Sequence, residues 1–295
     1  MYDDILIPTD GSRGATAGAR HGLNLARAFD SRVHLLSVVD ERAYSARLVD
    51  IDRDIREHRE ALEDRAEEAL DELADLAADA NVQSERVVEH GIPSEAIRSF
   101  VDDRDIDLVS MGTHGRTGLD RYLLGSVTER VVRTSDVPVL TSREAAENER
   151  SYDAILLPTD GSDAAAGAVE HGLAIAERYG ATVHALSVVD VRQLTGMYET
   201  DSWTPRLLDV VEEARERSVE GVAERAKDRG LDVVTHVEHG IPSSVIREYV
   251  PEQDIDLVAM GTHGRTGLDR YLIGSVTERT IRTSDVPVLT VHHRE

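Results

Sequence analysis

The sequence predicts an α/β protein built from two tandem copies of a five-stranded parallel sheet sandwiched by helices. The chain has 295 residues, which suits two domains of roughly 150 residues each better than one. Motifs of the first half recur in the second. Within each half, short apolar runs alternate with helical stretches, a pattern typical of a parallel sheet covered by helices on both faces.

The repeat is visible as near-identical segments in the same order. ILIPTDGS at Ile5–Ser12 recurs as ILLPTDGS at Ile155–Ser162. Three further segments repeat in the same way, namely SVVD (Ser37–Asp40 and Ser187–Asp190), EHGIPS (Glu89–Ser94 and Glu238–Ser243) and MGTHGRTGLDRYL-[LI]-GSVTER (Met111–Arg130 and Met260–Arg279). The polar stretch REAAENERS lies between the copies and lacks apolar periodicity. We therefore predict domains at 1–142 and 152–295, joined by a linker at 143–151.

Each element of the first copy follows from local periodicity. Apolar runs ending in turns predict strands, and apolar spacing near 3.6 predicts helices. In order, the predicted elements are strand 3–10, helix 12–29, strand 33–39, helix 55–80, strand 84–88, helix 94–101, strand 106–111, helix 125–134 and strand 137–141. The expected buried stripe of the long helix consists of Leu62, Ala66, Ala69, Leu70, Leu73 and Leu76. The second copy follows the same scheme.

Composition excludes several classes of function. The chain has no cysteine, which removes disulfides, thiolate catalysis and cysteine-bound zinc. A formal charge of −24 argues against a nucleic-acid or anionic-membrane surface. No apolar run approaches the roughly 20 residues of a membrane span, and the acidic N-terminus is unlike a signal peptide. We expect a cytoplasmic protein, and its single lysine with heavy acidity suggests a halophilic protein hydrated in a salt-rich cytoplasm.

Three repeated segments follow predicted strands. Asp10 follows the first strand, Val38 lies near the end of the second, and Gly112 follows the fourth. Ligands of open parallel sheets bind outside the carboxyl ends of the strands, where the strand order reverses. A sheet of order 3-2-1-4-5 has that reversal between its first and fourth strands. We therefore expect Asp10 to face the loop after Gly112 across one crevice.

The glycine loop has the composition of a phosphate site. Gly112 and Gly115 allow the backbone to approach a ligand closely, and Gly125 with Ser126 begins a helix whose free N–H groups favour an anion. His114 and Arg116 add polar or cationic groups nearby. The alternative is a glycine-rich turn with a serine N-cap, which the duplication of the whole segment disfavours.

Two common nucleotide motifs are absent. The loop lacks the lysine of G-x-x-x-x-G-K-[ST], and the chain has no G-x-G-x-x-G. Asp10 and its twin Asp160 could accept hydrogen bonds from ribose hydroxyls, contact adenine or help to place a metal. The alternative for these segments is helix capping by the aspartate or the serine, with the glycine between them as a turn residue.

PTDGS, SVVD, HGIP and M-G-T-H-G-R-x₈-G-S-V-T-E, followed by D-V-P-V-L, together resemble the ATP-binding branch of the universal stress protein family. The resemblance covers both copies. It implies a Rossmann-like, adenine nucleotide alpha-hydrolase-like fold with sheet order 3-2-1-4-5. It also implies that Asp10 and Val38 contact adenosine, the latter through its backbone, while the glycine loop holds ribose and phosphates. The binding residues expected on this basis are Pro8, Thr9, Asp10, Val38, Met111, Gly112, His114, Gly115, Arg116, Gly125, Ser126 and Val127 in the first copy, and Pro158, Thr159, Asp160, Val188, Met260, Gly261, His263, Gly264, Arg265, Gly274, Ser275 and Val276 in the second.

The resemblance implies a nucleotide-dependent stress-response regulator with one ATP site per repeat. ATP is the expected ligand, with AMP or ADP as alternatives and Mg²⁺ accompanying the phosphates; no catalytic residue and no metal site of the protein's own are expected. Two other hypotheses remain open: a slow ATPase or nucleotidyl-transferring enzyme using Asp10 or His114 with Mg²⁺, and a nucleotide-free interaction scaffold. The family often dimerises through its fifth strands. We thus expect the VPVL strands, 137–140 and 286–289, to pair within the chain as a pseudo-dimer that covers their edges; a further homodimer is an alternative.

Overall fold

A computed structural model describes residues 1–40, 42, 52–115, 124–144, 151–190, 205–263 and 273–292. The chain divides into two compact units, Met1–Glu149 and Arg150–Glu295. The linker that we predict at 143–151 stays a prediction, because residues 145–150 lie outside the described part. In the described ranges, no helix combines the length and the apolar composition needed to cross a membrane.

The first unit contains one parallel sheet with the predicted strand order. Its described elements are β1 (Asp4–Thr9), α1 (Arg13–Phe29), β2 (Arg32–Asp40), α2 (Asp52–Asp79), β3 (Ser84–Gly91), α3 (Pro93–Asp103), β4 (Leu108–Gly112), α4 (Ser126–Thr134) and β5 (Val139–Ser142). The strands lie in the order β3-β2-β1-β4-β5. In the register of the sheet, Ile5 of β1 lies opposite Val33 of β2 on one side and opposite Leu108 of β4 on the other. The reversal of strand order therefore falls between β1 and β4.

The second unit repeats this plan. Its described elements are β6 (Ala154–Pro158), α5 (Asp163–Tyr179), β7 (Thr182–Val189), α6 (Pro205–Asp228), β8 (Val233–His239), α7 (Pro242–Glu252), β9 (Leu257–Gly261), α8 (Ser275–Thr283) and β10 (Val288–Val291). The strand order within this unit is β8-β7-β6-β9-β10, which is 3-2-1-4-5 in terms of its own five strands. The fold class predicted from the sequence is confirmed.

The helices cover both faces of each sheet because parallel crossovers are right-handed. In the first unit, α1 and α2 follow strands that progress toward one edge of the sheet and contact each other, whereas α3 and α4 follow strands that progress toward the other edge and contact each other. The strands between them are almost continuously apolar and buried, as with Ile5, Leu6 and Ile7, none of which is exposed. This two-sided burial leaves the ends of the strands as the place where a ligand can reach the sheet.

The first helix of each unit is capped in the same way. The Ser12 hydroxyl accepts a hydrogen bond from the Ala15 N–H at 3.2 Å, and the Ser162 hydroxyl accepts one from Ala165 at 3.3 Å. These caps satisfy one of the free N–H groups at each helix start. They also fix where the chain turns from the first strand of each unit into the helix, directly beside the predicted site.

The buried stripe of α2 agrees largely with the prediction. Ala66, Ala69, Leu70 and Leu73 are buried, whereas Leu62 and Leu76 are half-buried. Ala77 is fully buried although the sequence analysis left it out. It lies four residues after Leu73 and so extends the same helical face by one turn.

The last strand of each unit begins two residues later than predicted, at Val139 and at Val288. The Ser135 hydroxyl donates to the Val137 carbonyl at 2.9 Å and accepts from the Val137 N–H at 3.3 Å. Ser284 makes the same two contacts with Val286. These side-chain bonds occupy the backbone of the first valine of VPVL and keep it in a turn.

Candidate functional site

A cleft of about 290 Å³ lies in the first unit, at the carboxyl ends of β1, β2 and β4. This is close to the lower end of the volumes usual for small-molecule pockets, about 300 Å³. Its lining residues are Pro8, Thr9, Asp10, Ala15, Leu36, Val38, Asp40, Pro93, Ile97, Met111, Gly112, His114, Gly115, Gly125, Ser126, Val127 and Thr128. All the predicted site residues of the first copy are in this set except Arg116, which lies outside the described residues.

The loop after β1 presents Asp10 to the cleft through a compact turn. The Gly11 N–H donates to the Thr9 hydroxyl at 3.0 Å, and the Ser12 N–H donates to Asp10 Oδ1 at 3.0 Å. Gly11 has φ 73°, a conformation that favours glycine. The second copy forms the same turn, in which Gly161 donates to Thr159 and Ser162 donates to Asp160. The helix cap of each unit is thus the serine and not the aspartate, and the bond to the Ser12 N–H orients the Asp10 carboxylate in the turn before the helix.

Asp10 and the glycine loop meet across the cleft. A Cβ added to Gly115 would lie 2.5 Å from Asp10 Oδ2, so only glycine fits against the carboxylate without moving it. The expectation that Asp10 faces the glycine loop is confirmed in the first unit. In the second unit, Gly264 and Arg265 lie outside the described residues, so the corresponding contact is not described.

Hydrogen bonds join the two described ends of the glycine loop. The Gly125 N–H donates to the Thr113 carbonyl at 2.8 Å, and the buried Thr128 hydroxyl donates to the Gly112 carbonyl at 2.8 Å. In the second unit, Gly274 donates to the Thr262 carbonyl at 2.8 Å and Thr277 donates to the Gly261 carbonyl at 2.8 Å. These bonds bring the end of the fourth strand of each unit to the start of the following helix.

The helix start at this junction is arranged for an anion. Gly125 is the N-cap of α4, with no hydrogen bond from a side-chain cap, and Ser126, Val127 and Thr128 follow it in the first turn. The N–H groups of a first helical turn have no partner within the helix and carry a partial positive charge. Since these residues line the cleft, their donors and the Ser126 hydroxyl can bind a phosphate there.

The histidine of the loop has one nitrogen fixed and the other available. His114 Nδ1 lies 2.9 Å from the Thr113 hydroxyl, and His263 Nδ1 lies 3.0 Å from that of Thr262. In each ring, Nε2 is buried and makes no hydrogen bond with the described residues. A buried polar nitrogen without a partner costs free energy, so both rings fit a site that is completed by a further polar group.

At the end of β2, the main chain faces the cleft. In the second unit, the Thr159 N–H donates to the Leu186 carbonyl at 2.8 Å. Along a strand, the peptide groups point alternately to the two neighbouring strands. The Val188 carbonyl, two residues after that of Leu186, therefore points to the same side as the Leu186 carbonyl, just beyond the end of β6. The Gly161 N–H is the next N–H group on that side of the chain after β6, and it donates to the Thr159 hydroxyl, not to the Val188 carbonyl. The first unit has the same register, with Pro8 opposite Leu36, so we infer the same direction for the Val38 carbonyl.

Several cleft residues were missed by the sequence analysis. Asp40 is one of them. Its carboxylate forms a bidentate ion pair with Arg42, with Arg42 Nε 2.9 Å from Asp40 Oδ1 and Nη2 2.7 Å from Oδ2. This hydrogen bonding, against partial burial, lowers the pKa of the Asp40 carboxyl. The remaining missed lining residues are Ala15, Leu36, Pro93, Ile97 and Thr128. Asp40 and Pro93 belong to the repeated SVVD and EHGIPS segments, and that repetition was the available signal.

The residues that line the first cleft recur in the sequence of the second copy. Each of the 17 lining residues of the first cleft has an identical residue at the matching position of the second copy. Of the described residues, no three His, Asp or Glu side chains are grouped so as to hold a metal ion. Two carboxylates, those of Asp10 and Asp40, line the cleft of the first unit.

Comparison with known proteins agrees with this architecture. The model of the universal stress protein family matches the chain twice, at residues 1–143 and 151–292. A universal stress protein of Methanocaldococcus jannaschii is 37% identical over 143 residues, which are 48% of this chain and 84% of that protein. A universal stress protein of Mycolicibacterium smegmatis is 27% identical over 309 aligned positions, covering 98% of this chain and 97% of the relative. The crystal structure of a universal stress protein from Archaeoglobus fulgidus covers 99% of both chains, with 25% identity and a TM-score of 0.71.

Proposed function

Because the chain belongs to the universal stress protein family, with two tandem domains, we propose that it binds one ATP per unit and acts as a nucleotide-dependent stress-response regulator. The observation that carries this proposal is the cleft in which Asp10 lies against Gly115, opposite the start of α4. Its lining residues recur without change in the second copy. Each unit would therefore hold one molecule of the same nucleotide.

The base would be recognised by main-chain groups. The Val38 and Val188 carbonyls face the cleft past the ends of β1 and β6, where they can accept a hydrogen bond from an exocyclic amine. Adenine carries such an amine at its hydrogen-bonding edge, whereas guanine presents a carbonyl oxygen at the equivalent place. A main-chain acceptor thus favours adenine over guanine, and its position depends on the fold more than on any side chain.

The ribose and phosphates would lie between Asp10 and the helix start. An ionised carboxylate accepts hydrogen bonds from hydroxyl groups, which fits Asp10 to the ribose. The phosphates would accept hydrogen bonds from the N–H groups of Ser126 and Val127 and from the Ser126 hydroxyl. With the phosphates bound, Mg²⁺ would be held by them and by a carboxylate of the cleft, since this ion usually keeps several waters and takes only one or two protein carboxylates.

The site is arranged to hold the nucleotide more than to transform it. Lys227, the single lysine of the sequence, lies on α6 and is not among the positions that match the cleft lining. The Asp10 carboxylate accepts the Ser12 N–H in the turn that orients it. Nucleotide occupancy would instead change how the loops of the cleft are presented to partner proteins, which fits a regulator.

Calorimetric titration of the full chain with ATP and Mg²⁺ in concentrated potassium chloride tests the proposal. We expect two ATP per chain. Ser126→Glu and Ser275→Glu place a negative charge where the phosphates bind, while a carboxylate at this position suits the helix start. Each substitution should therefore remove one site without unfolding the unit.

The double variant should bind no ATP. Ser99→Glu adds the same charge on the exposed face of α3, away from the cleft, and should leave both sites intact. The proposal is wrong if the wild-type chain binds none of ATP, ADP and AMP and releases no nucleotide on acid extraction. ATP turnover above about 1 s⁻¹, the low end for typical enzymes, would indicate an enzyme instead.

A further inference from the structure

One face of β2 runs from an apolar floor to a charged rim of the first cleft. Leu36, Val38 and Asp40 all line the cleft, and because they alternate along the strand, their side chains lie on the same face of it. Pro93 and Ile97 of α3 line the same cleft, and α3 packs against β2. Leu36 is fully buried and Ile97 is 2% exposed, whereas Asp40 ends the strand with its side chain 33% exposed. A flat ring can thus lie on the apolar floor with its polar edge at Asp40.

Arg42 holds the Asp40 carboxylate at this rim. Oδ1 of Asp40 accepts the Arg42 N–H at 3.0 Å as well as Nε at 2.9 Å, and Oδ2 accepts Nη2 at 2.7 Å. The carboxylate is therefore fixed by a turn and by a bidentate ion pair at once. A carboxylate offers about four acceptor sites, so these hydrogen bonds leave a place on Oδ2 for a donor from a ligand.

The ion pair also keeps Asp40 ionised. The hydrogen bond from Arg42 lowers the pKa of the Asp40 carboxyl although partial burial opposes this, so the group is negatively charged at neutral pH. An ionised carboxylate accepts hydrogen bonds but donates none. At the rim of the cleft it stabilises an amine and repels a carbonyl oxygen. Adenine carries an amine at its hydrogen-bonding edge where guanine has a carbonyl oxygen, so the rim distinguishes the two bases.

We infer that Asp40 is a specificity-determining residue of the first site, which accepts a hydrogen bond from the exocyclic amine of adenine, and that Arg42 is the positioning residue that holds it there. This role rests on the proposed function and adds a side-chain contact to the main-chain contact of Val38. Val38 and Asp40 lie together at the end of β2, and an amine has a second N–H group, so the amine can donate to both. A base with an oxygen in place of the amine would leave both acceptors without a partner.

Arg42 acts through Asp40 more than through the stability of the fold. Its side chain is 59% exposed, and an exposed ion pair contributes little to folding. The pKa of Arg42 is raised, mainly by the hydrogen bond to Asp40 and also by the charge of Glu95 in the first turn of α3. Arg42 thus interacts with both elements that line this part of the cleft, the end of β2 and the start of α3.

The test isolates the first site, because Arg192, which matches Arg42 in the second copy, lies outside the described residues. Full-length Ser275→Glu protein is titrated, in the presence of Mg²⁺, with ATP and with inosine triphosphate (ITP), whose base has a carbonyl oxygen in place of the amine. The measured quantity is the ratio of the two dissociation constants. Asp40→Ala should reduce the preference for ATP about 10-fold, as expected for the loss of a hydrogen bond to a charged group. Asp40→Asn should bind ITP more tightly than the Ser275→Glu protein does, because the amide can donate to the carbonyl oxygen.

Further variants separate this role from a structural one. Arg42→Met should reduce the preference for ATP about 3-fold, since Asp40 is no longer held in place, and Arg42→Lys should retain part of the preference because it keeps a charged donor. Asp71→Ala removes from α2 the carboxylate of an exposed ion pair with Arg86 and should leave the ratio unchanged.

Equal weakening of ATP and ITP binding by Asp40→Ala and by Asp40→Asn would overturn the inference while the proposed function stands. Equal affinities of the Ser275→Glu protein for ATP and ITP would do the same. The asparagine keeps the size of the side chain, so Asp40→Asn decides the outcome if Asp40→Ala does not fold. If the Ser275→Glu protein binds no ATP, the proposed function itself fails, and the inference with it.

Discussion

His34 Nε2 lies 2.8 Å from the Asp4 carboxylate in the interior of the first unit. The other ring nitrogen, Nδ1, lies 2.8 Å from the Glu85 carboxylate, so one buried imidazole joins β1, β2 and β3. Burial alone would raise the pKa of Asp4, but hydrogen bonds from His34 and Arg32 lower it overall. The hydrogen bond from His34 is the main cause that lowers the pKa of Glu85.

This cluster predicts that acid destabilises the first unit. The pKa values of both carboxyls are lower in the folded than in the unfolded state, so their stabilisation is complete above the ordinary carboxyl value of about 4 and is lost as the pH falls below it. In the second unit, Ala154 and Val234 stand at the matching positions. Denaturant unfolding between roughly pH 5 and pH 3 should show the first unit losing stability as the pH falls. Asp4→Asn should flatten this dependence, and retention of the full pH slope in that variant would contradict the assignment.

Gly115→Val should abolish nucleotide binding at the first site. The added Cβ would lie 2.5 Å from Asp10 Oδ2, so the carboxylate has to move from the position that it holds beside the loop. Equilibrium dialysis with ATP should show one site lost, with the unfolding midpoint changed little because Gly115 lies in a loop. Binding of two ATP by the variant would show that Asp10 does not need this position.

Thr128→Val should weaken the first site and destabilise the unit by about 1 to 3 kcal/mol, since it leaves the Gly112 carbonyl buried without its hydroxyl partner. Thr277→Val should do the same in the second unit. Chemical denaturation measures the stability, and titration with ATP shows which site is affected. The half-buried Thr134, whose hydroxyl donates to a carbonyl of its own helix, gives the control Thr134→Val, which should cost less than 1 kcal/mol.

Gly18→Ala and Gly221→Ala should shift stability in opposite directions. A Cβ on Gly18 would lie 2.4 Å from the Met111 carbonyl carbon, and this rigid backbone contact should cost about 1 to 3 kcal/mol. A Cβ on Gly221 meets nothing within 4 Å, so alanine there should stabilise α6 by about 0.5 to 1 kcal/mol. Thermal unfolding of the two variants beside the wild type measures both. A stable Gly18→Ala protein would mean that α1 can move away from β4.

The elements and their order were predictable because local periodicity and the repeat both report on them. The position of Asp10 opposite Gly115 was predictable too, since a reversal of strand order between β1 and β4 leaves few other arrangements of the loops that follow these two strands. The contact of Arg42 with Asp40 was not. Arg42 has a long side chain, and nothing in its local sequence says which carboxylate it reaches. The late start of β5 depends on hydrogen bonds of one serine, which no hydrophobic pattern records.

The lining of the first cleft comes from segments spread between Pro8 and Thr128, nearly the full length of the unit. A chain that has lost any one of these segments has no complete site, so an occupying molecule binds the native state alone. Its binding free energy then adds to the stability of the whole domain, by about 2.7 kcal/mol at a free concentration 100 times Kd. The abundance of the nucleotide would thereby set how long each domain resists heat and proteolysis in the cell.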